Sequence, residues 1–301
     1  MTKTVPQNEK GAALLAVLAM VLLLSGFATI GLQTLKAGAA RTGGSVTRSD
    51  LQFLQRSGAE TALQLAATAK TRRNPDGTMP ETRLQLTQGT VHIAFEDAGA
   101  CFNLNSMAAK PGKNHIGNDM GRAPAISPRK FARMLVASGI PRLEANKIAD
   151  ATAERLRSGI LWADASEWLL VPGVTPDHWN LAGTLLCTLP SREMSAFNIN
   201  ALKPDKAPLL VAMGLQPDEA RRALASRPEH GWADARRFWE QASPAGVPQG
   251  AEIIGTASRW LTANITTRTP NGEARRTLLL DTAKAPAKVA SVHWHSTKVE
   301  T

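Results

Sequence analysis

The feature that most limits what this chain can become is an uncharged apolar run over residues 12–32, set directly behind Lys10-Gly11. At about 1.5 Å of rise per residue, roughly 20 apolar residues cross a hydrocarbon core of about 30 Å, so residues 12–35 read as a transmembrane helix. A conventional secretory signal carries its small-residue cleavage site after the apolar core. Here the small residue comes first. Cutting after Gly11 would leave the apolar segment on the mature chain with Ala12 as its new terminus, and residues 1–11 read as a leader. Lys3 and Lys10 on one side face Lys36, Arg41 and Arg48 on the other, so the distribution of positive charge does not set the orientation.

What remains of the 301 residues is enough for a large domain with its own core. Apolar residues make up 43% and charged residues 20%, an ordinary globular balance. The formal charge of +10 is spread without any long Lys/Arg block, which suits a solvated basic surface and not the concentrated footprint of a nucleic-acid binder. Two cysteines, Cys101 and Cys187, would oxidise to one another in an exported compartment, and closing a loop of that length stabilises by roughly 3–5 kcal/mol. The competing reading is two buried thiols.

Along the chain, Leu51, Leu54, Ala59, Ala62, Leu63, Ala66 and Ala67 recur at helical spacing, predicting a helix that resumes after Gly43-Gly44 and runs to about Lys70. Asn74-Pro-Asp-Gly77 breaks it. Alternation predicts a strand at residues 90–95, with a partner at 84–86 and another extended piece at 101–105. From Pro128 to about Gly246 the pattern is helical and repeats itself. Leu135-Val-Ala-Ser-Gly139 returns as Leu210-Val-Ala-Met-Gly214, and Trp162-Ala-Asp-Ala165 returns as Trp232-Ala-Asp-Ala235. The four residues Phe102-Asn-Leu-Asn105 return as Phe197-Asn-Ile-Asn200, close behind Cys101 and Cys187 respectively. Duplicated helical hairpins explain this most simply, against chance similarity among Ala- and Leu-rich helices. The asparagines are suited to closing turns by bonding to backbone, and a disulfide would staple the neck of the lobe.

The tail returns to strand signals at 260–267, 275–280 and 289–294, with Pro270-Asn-Gly272 as a hairpin turn. The expected class is therefore α+β. A long N-terminal helix packs on an antiparallel sheet, and a large helical domain is inserted between strands. The corresponding divisions are 36–105 for the first part of the core, 106–250 for the insert and 251–301 for the closing strands.

Taken in order, the Gly11 junction, the stretch Gly58-Ala-Glu-Thr-Ala-Leu63, the motif at Phe102, the turn Val171-Pro-Gly-Val-Thr175 and the second motif at Asn198 to Asn200 resemble the general secretion pathway protein K family, the minor pseudopilins of type II secretion systems. The resemblance covers nearly the whole chain. It implies a type IV prepilin-like leader, cleavage after Gly11 by prepilin peptidase, and methylation of the new terminus at Ala12. It implies a place at the pseudopilus tip with minor pseudopilins I and J, contact with the inner-membrane secretion platform, and a single-pass protein of the bacterial inner membrane with its large domain in the periplasm. Most pilins and pseudopilins carry Glu as the fifth mature residue, which neutralises a neighbouring subunit's N-terminal ammonium inside the membrane. Ala16 stands there in this chain, as in the K family, and suits a subunit with no neighbour ahead of it.

Some relatives bind calcium in an acidic loop. The matching stretch here is short and carries Arg155 and Arg157, with only Asp164 and Glu167 as nearby carboxylates, so no metal is expected at that loop and no cofactor is called for. His293 and His295 share a strand face without further ligands and read as a solvent-facing pair. No nucleophile, base and orienting group stand out, so the chain reads as non-catalytic. Two rival functions remain. A helix-hairpin-helix DNA-binding protein would use the Pro-Gly-Val turns to meet phosphate, but Asp177 and His178 follow where Lys or Arg would be wanted, and no nucleic acid is expected. A minor pilin of a type IV pilus would share the leader and sheet but not ordinarily the helical insert.

Overall fold

The structure is a computed structural model that describes residues 7–69, 79, 81–108, 126–158, 160–243, 246, 253–295 and 298–299. Helix α1 (Gln7–Ala69) is 63 residues long, about 95 Å at helical rise. It runs unbroken through Gly43-Gly44, where the sequence predicted an interruption. Two glycines raise the cost of a helix by about 1 kcal/mol each but do not forbid it. The hydroxyls of Ser25 and Thr29 in the apolar stretch donate to the carbonyls of Val21 and Ser25, each at 2.8 Å, so their polarity is satisfied within the helix. The breaking segment expected at residues 74–77 lies outside the described residues.

Among the described residues, α1 is buried only from Thr47 onward. Leu51, Leu54, Gln55, Gly58, Ala62 and Ala66 turn one buried stripe toward a six-stranded antiparallel sheet. Strands β1 (Thr82–Leu86) and β2 (Gly89–Asp97) precede the helical insert, and β7 (Trp260–Thr269), β8 (Gly272–Asp281), β9 (Lys288–Trp294) and β10 (Lys298–Val299) follow it. The order is β1-β2-β7-β8, with β9 and β10 both paired to β8. Strands from both sides of the insert thus form one sheet on the amphipathic part of the first helix, as the alternation predicts. The β7–β8 hairpin turns at Pro270-Asn271, with Thr269 opposite Gly272.

Two residues set the distance between helix and sheet. A Cβ on Gly58 would lie 2.7 Å from Cγ2 of Ile265 and 2.9 Å from Cγ1 of Val91, so only glycine allows so close an approach. Gln55, buried beside it, donates from Nε2 to Oγ1 of Thr267 and to the carbonyl of Ala274, both at 3.0 Å. Around them Val91, Ile93, Phe95, Leu261, Ala263, Ile265, Leu278 and Leu280 make the core of this layer.

The insert is a helical lobe in two halves. The first contains β3 (Phe102–Asn103), a 3-10 turn at Leu104–Ala108, α2 (Pro128–Ala137), α3 (Arg142–Leu156), a 3-10 helix at Ala165–Leu170, α4 (Pro176–Ala182) and β4 (Leu186–Cys187). The second contains β5 (Phe197–Asn198), α5 (Ala207–Ala212), α6 (Pro217–Ala225), α7 (Ala235–Ala242) and β6 (Ile254–Gly255). Each half closes on a parallel pair of two-residue strands, β3 with β4 and β5 with β6. The extended piece expected at 101–105 is therefore shorter: only Phe102–Asn103 is strand, because the chain turns at once into 3-10 geometry from Leu104.

Candidate assembly site

The geometry that matters is where the lobe sits relative to the helix. Gln55 of α1 lies level with Thr267 and Ala274, and Gly58 lies level with Ile265, so α1 ascends along the sheet toward the start of β7 at Trp260. The chain leaves for the lobe after Asp97, which pairs with Leu261, and returns at Trp260. The lobe is thus attached at the end of the sheet farthest from the apolar half of α1.

That attachment is fixed by a polar neck. Arg259 donates from Nε and Nη2 to the two carboxylate oxygens of Asp281 at 2.9 and 2.8 Å, and from Nη1 to Glu193 at 3.2 Å. The hydrogen bonds to Asp281 hold the guanidinium pKa above its ordinary value despite partial burial. Its plane lies 5.0 Å from the ring of Trp260, whose indole N–H donates to Ser195 at 2.9 Å. Asn198 donates to Asp97 at 2.9 Å. Cys101 and Cys187 form a disulfide beside the β3–β4 pair, closing the first half of the lobe at its mouth.

Inside the lobe the repeated motifs do the same work twice. Asn105 donates from Nδ2 to the carbonyl of Trp162 at 3.0 Å and accepts from its N–H at 2.9 Å. Asn200 does so for Trp232, at 3.0 and 2.7 Å. The N–H of Asn105 donates to Asn103 and that of Asn200 to Asn198, at 3.2 and 3.1 Å. Gly139 and Gly214, at the matching turns, have φ of 103° and 114°. The same set of bonds thus occurs in both halves of the lobe.

The remaining sequence-marked residues fall as follows. Gly11 and Ala12 lie on the helical backbone of α1, and Ala16 is exposed on its apolar stretch. Asp164 and Glu167 are engaged with backbone: Asp164 accepts from Ser166 N–H at 2.8 Å, and Glu167 accepts from the N–H groups of Ala163 and Asp164 at 2.6 and 3.0 Å. One oxygen of each carboxylate thus serves as a cap for the 3-10 helix that follows. Among the described residues no group of three or more His, Cys, Asp or Glu gathers as for a metal ion. His293 is exposed on β9, and His295 meets Oγ1 of Thr277 at 2.9 Å. At the turn Pro172-Gly-Val174, Pro172 and Gly173 are exposed and Val174 is half-buried, with Val171 buried just before them; a Cβ on Gly173 would lie 3.8 Å from Ile148, and His178 Nδ1 accepts from the N–H of Thr175 at 3.0 Å to close the next helix. Its second copy at 245–247 falls largely outside the described residues. The neck arginine had no sequence signal, since nothing local marks a single Arg before a strand.

Comparison with known proteins agrees with this architecture. A family model described as type II secretion system protein K matches residues 197–257, the second half of the lobe with its β5–β6 closure. The chain is similar to type II secretion system protein K. It is 26% identical to that protein from Aeromonas hydrophila over 60% of this chain, and 26% identical to that from Klebsiella pneumoniae over 53%. These matches span 62% and 55% of the two relatives' own lengths. The protein K of Dickeya chrysanthemi is 24% identical over 89% of this chain and 92% of its own. The fold is also similar to one in the crystal structure of the GspK-GspI-GspJ complex from enterotoxigenic Escherichia coli. There the TM-score is 0.65 at 20% identity, covering 85% of this chain and 99% of that one.

Proposed function

We propose that this protein is a minor pseudopilin that caps the tip of a type II secretion pseudopilus and initiates its assembly for protein export across the outer membrane. The observation that carries this is the lobe at the far end of the sheet from the apolar half of α1. A filament built by stacking long helices grows along them, and a bulky lobe locked above the helix end by Arg259 and the disulfide blocks a further subunit on that side. In this reading prepilin peptidase cuts after Gly11, Ala12 becomes the methylated terminus, and α1 holds the chain in the inner membrane with the large domain in the periplasm. Ala16 then offers no carboxylate to a subunit ahead, which a tip position does not require. The partners are minor pseudopilins I and J, the two that accompany GspK in the similar complex, together with the inner-membrane platform. The role is mechanical, with neither catalysis nor a cofactor.

The test is the intact mass of the full chain expressed with and without an active prepilin peptidase. Loss of residues 1–11 only with the enzyme is expected. An unchanged mass would make the apolar run an ordinary signal anchor and would remove the pseudopilin reading.

A further inference from the structure

β9 is an edge strand whose side chains alternate as if one of its faces were covered. Val289, Val292 and Trp294 stand opposite Leu280, Leu278 and Arg276 of β8. Leu278 and Leu280 belong to the core beneath α1, and Arg276 stands opposite Ile265, whose side chain touches α1 at Gly58. The three β9 residues therefore face the same side of the sheet as α1, while Ser291 and His293, opposite Leu279 and Thr277, face the other side. Yet Val289, Val292 and Trp294 are 41%, 36% and 62% exposed. At the foot of this ledge the guanidinium of Arg276 lies 4.5 Å from the Trp294 ring centre. Its Nε is buried without a hydrogen-bond partner, and among the described residues it makes no ion pair. Burial lowers its pKa, as expected for a cation held away from water with no anion opposite.

The spacing says what kind of element fits. α1 lies over β7 with β2 and β8 on either side. Strands are about 4.8 Å apart and packed helices lie roughly 8–10 Å apart, so a second helix beside α1 falls two strands over, on β9. A strand added to the edge of β9 would satisfy its backbone but would leave the apolar side chains bare. We infer that Val289, Val292 and Trp294, with Arg276 at their foot, dock the helix of a second minor pseudopilin laid alongside α1, a carboxylate of that helix meeting Arg276. An exposed tryptophan beside an unpaired arginine is the composition of an interface hot spot. The inference rests on the assembly role proposed above and assigns it a surface.

The experiment uses the full-length chain in detergent with minor pseudopilins I and J of its own secretion system. Trp294→Ala and Val292→Asp should each weaken complex formation roughly 30-fold or more, and Arg276→Met roughly tenfold, with Arg276→Lys recovering part of the loss. His293→Ala, on the opposite face of the same strand, should leave affinity unchanged. Hydroxyl-radical footprinting should find Trp294 oxidised in the free chain and protected in the complex. Unchanged affinity in the two ledge variants, or an equal loss in His293→Ala, overturns the inference. Protection of Trp294 in the free chain overturns it too, because this chain or a second copy would already cover the ledge. If the wild-type chain captures neither partner, the assembly reading itself fails. Capture that the ledge variants leave intact removes only the docking surface.

Discussion

In the first half of the lobe Asn105 grips Trp162 by both amide atoms, and in the second Asn200 grips Trp232 the same way, yet the two halves are fastened differently. The first is closed by the Cys101–Cys187 disulfide, and its buried Trp168 indole N–H donates to Thr152 at 3.2 Å. In the second, the corresponding mouth has Ala196 before β5 and Gly255 in β6, and the indole nitrogens of Trp232 and Trp239 are buried without a partner among the described residues. Each such group costs roughly 1–3 kcal/mol in lost solvation. What holds the second half is polar and lies at its root: Arg227 donates to the carbonyls of Asn200 and Leu202, and Asn198 donates to Asp97 on the sheet. A repeated fold therefore fixes the internal grip, while each copy finds its own way of attaching to the rest of the molecule.

The largest test of that contrast removes the covalent staple. Replacing both cysteines by alanine should cost about 4–5 kcal/mol, the chain-entropy value for a bridge spanning a separation of 86 residues. Hydrogen exchange should then speed up in α2 and α3 while α5 to α7 keep their protection. The halves share one contiguous apolar core. Equal loss in both would mean that this core, and not the local fastening, sets the cooperative unit.

The reverse experiment is nearly as large. Asn103 pairs with Cys187 as Asn198 pairs with Gly255, so Ala196 and Gly255 occupy the places of the two cysteines. A Cβ built on Gly255 lies 3.5 Å from that of Ala196, within the roughly 3.5–4.5 Å span of disulfides. Ala196→Cys with Gly255→Cys should oxidise spontaneously, seen as a mass two hydrogens lower, and should stabilise by about 4 kcal/mol in a manner reversed by reductant. Two free thiols would show that the pseudo-symmetry stops short of the mouth.

Much of this was legible in the sequence. The motifs at Phe102 and Phe197 and the tryptophans at 162 and 232 carry the repeat, because an asparagine that must bond one backbone N–H and C=O cannot be exchanged for a residue of merely similar polarity. Alternation at 84–95 and 260–294 gave the sheet, since one covered face leaves a period of two. The neck was not legible. Arg259, Glu193 and Asp281 meet only after the chain has folded through an entire lobe, and their separation leaves no local pattern. Nor could the sequence foresee that α1 would run through Gly43-Gly44, where no neighbour lies within 4 Å to exploit a break. The ledge on β9 was visible only as a strand, because exposure of its apolar face is a property of where α1 comes to rest.

The smallest test concerns a cap present in both halves. Asp164 starts the 3-10 helix at Ala165–Leu170 by accepting from Ser166, and Asp234 starts α7 by accepting from Arg237 at 2.9 Å. Replacing either by alanine should cost about 1 kcal/mol at neutral pH, read from urea unfolding. The hydrogen bonds from Ser166 lower the pKa of Asp164 below the ordinary carboxylate value. A group whose pKa is lower when folded stabilises fully above its unfolded value, and this stabilisation fades as pH falls through the folded one. The penalty for Asp164→Ala should therefore be constant near neutrality and shrink in acid below the carboxylate range. A penalty that held steady in acid would show that the cap does not depend on ionisation, because the protonated carboxyl can still accept from the N–H of Ser166 through its carbonyl oxygen.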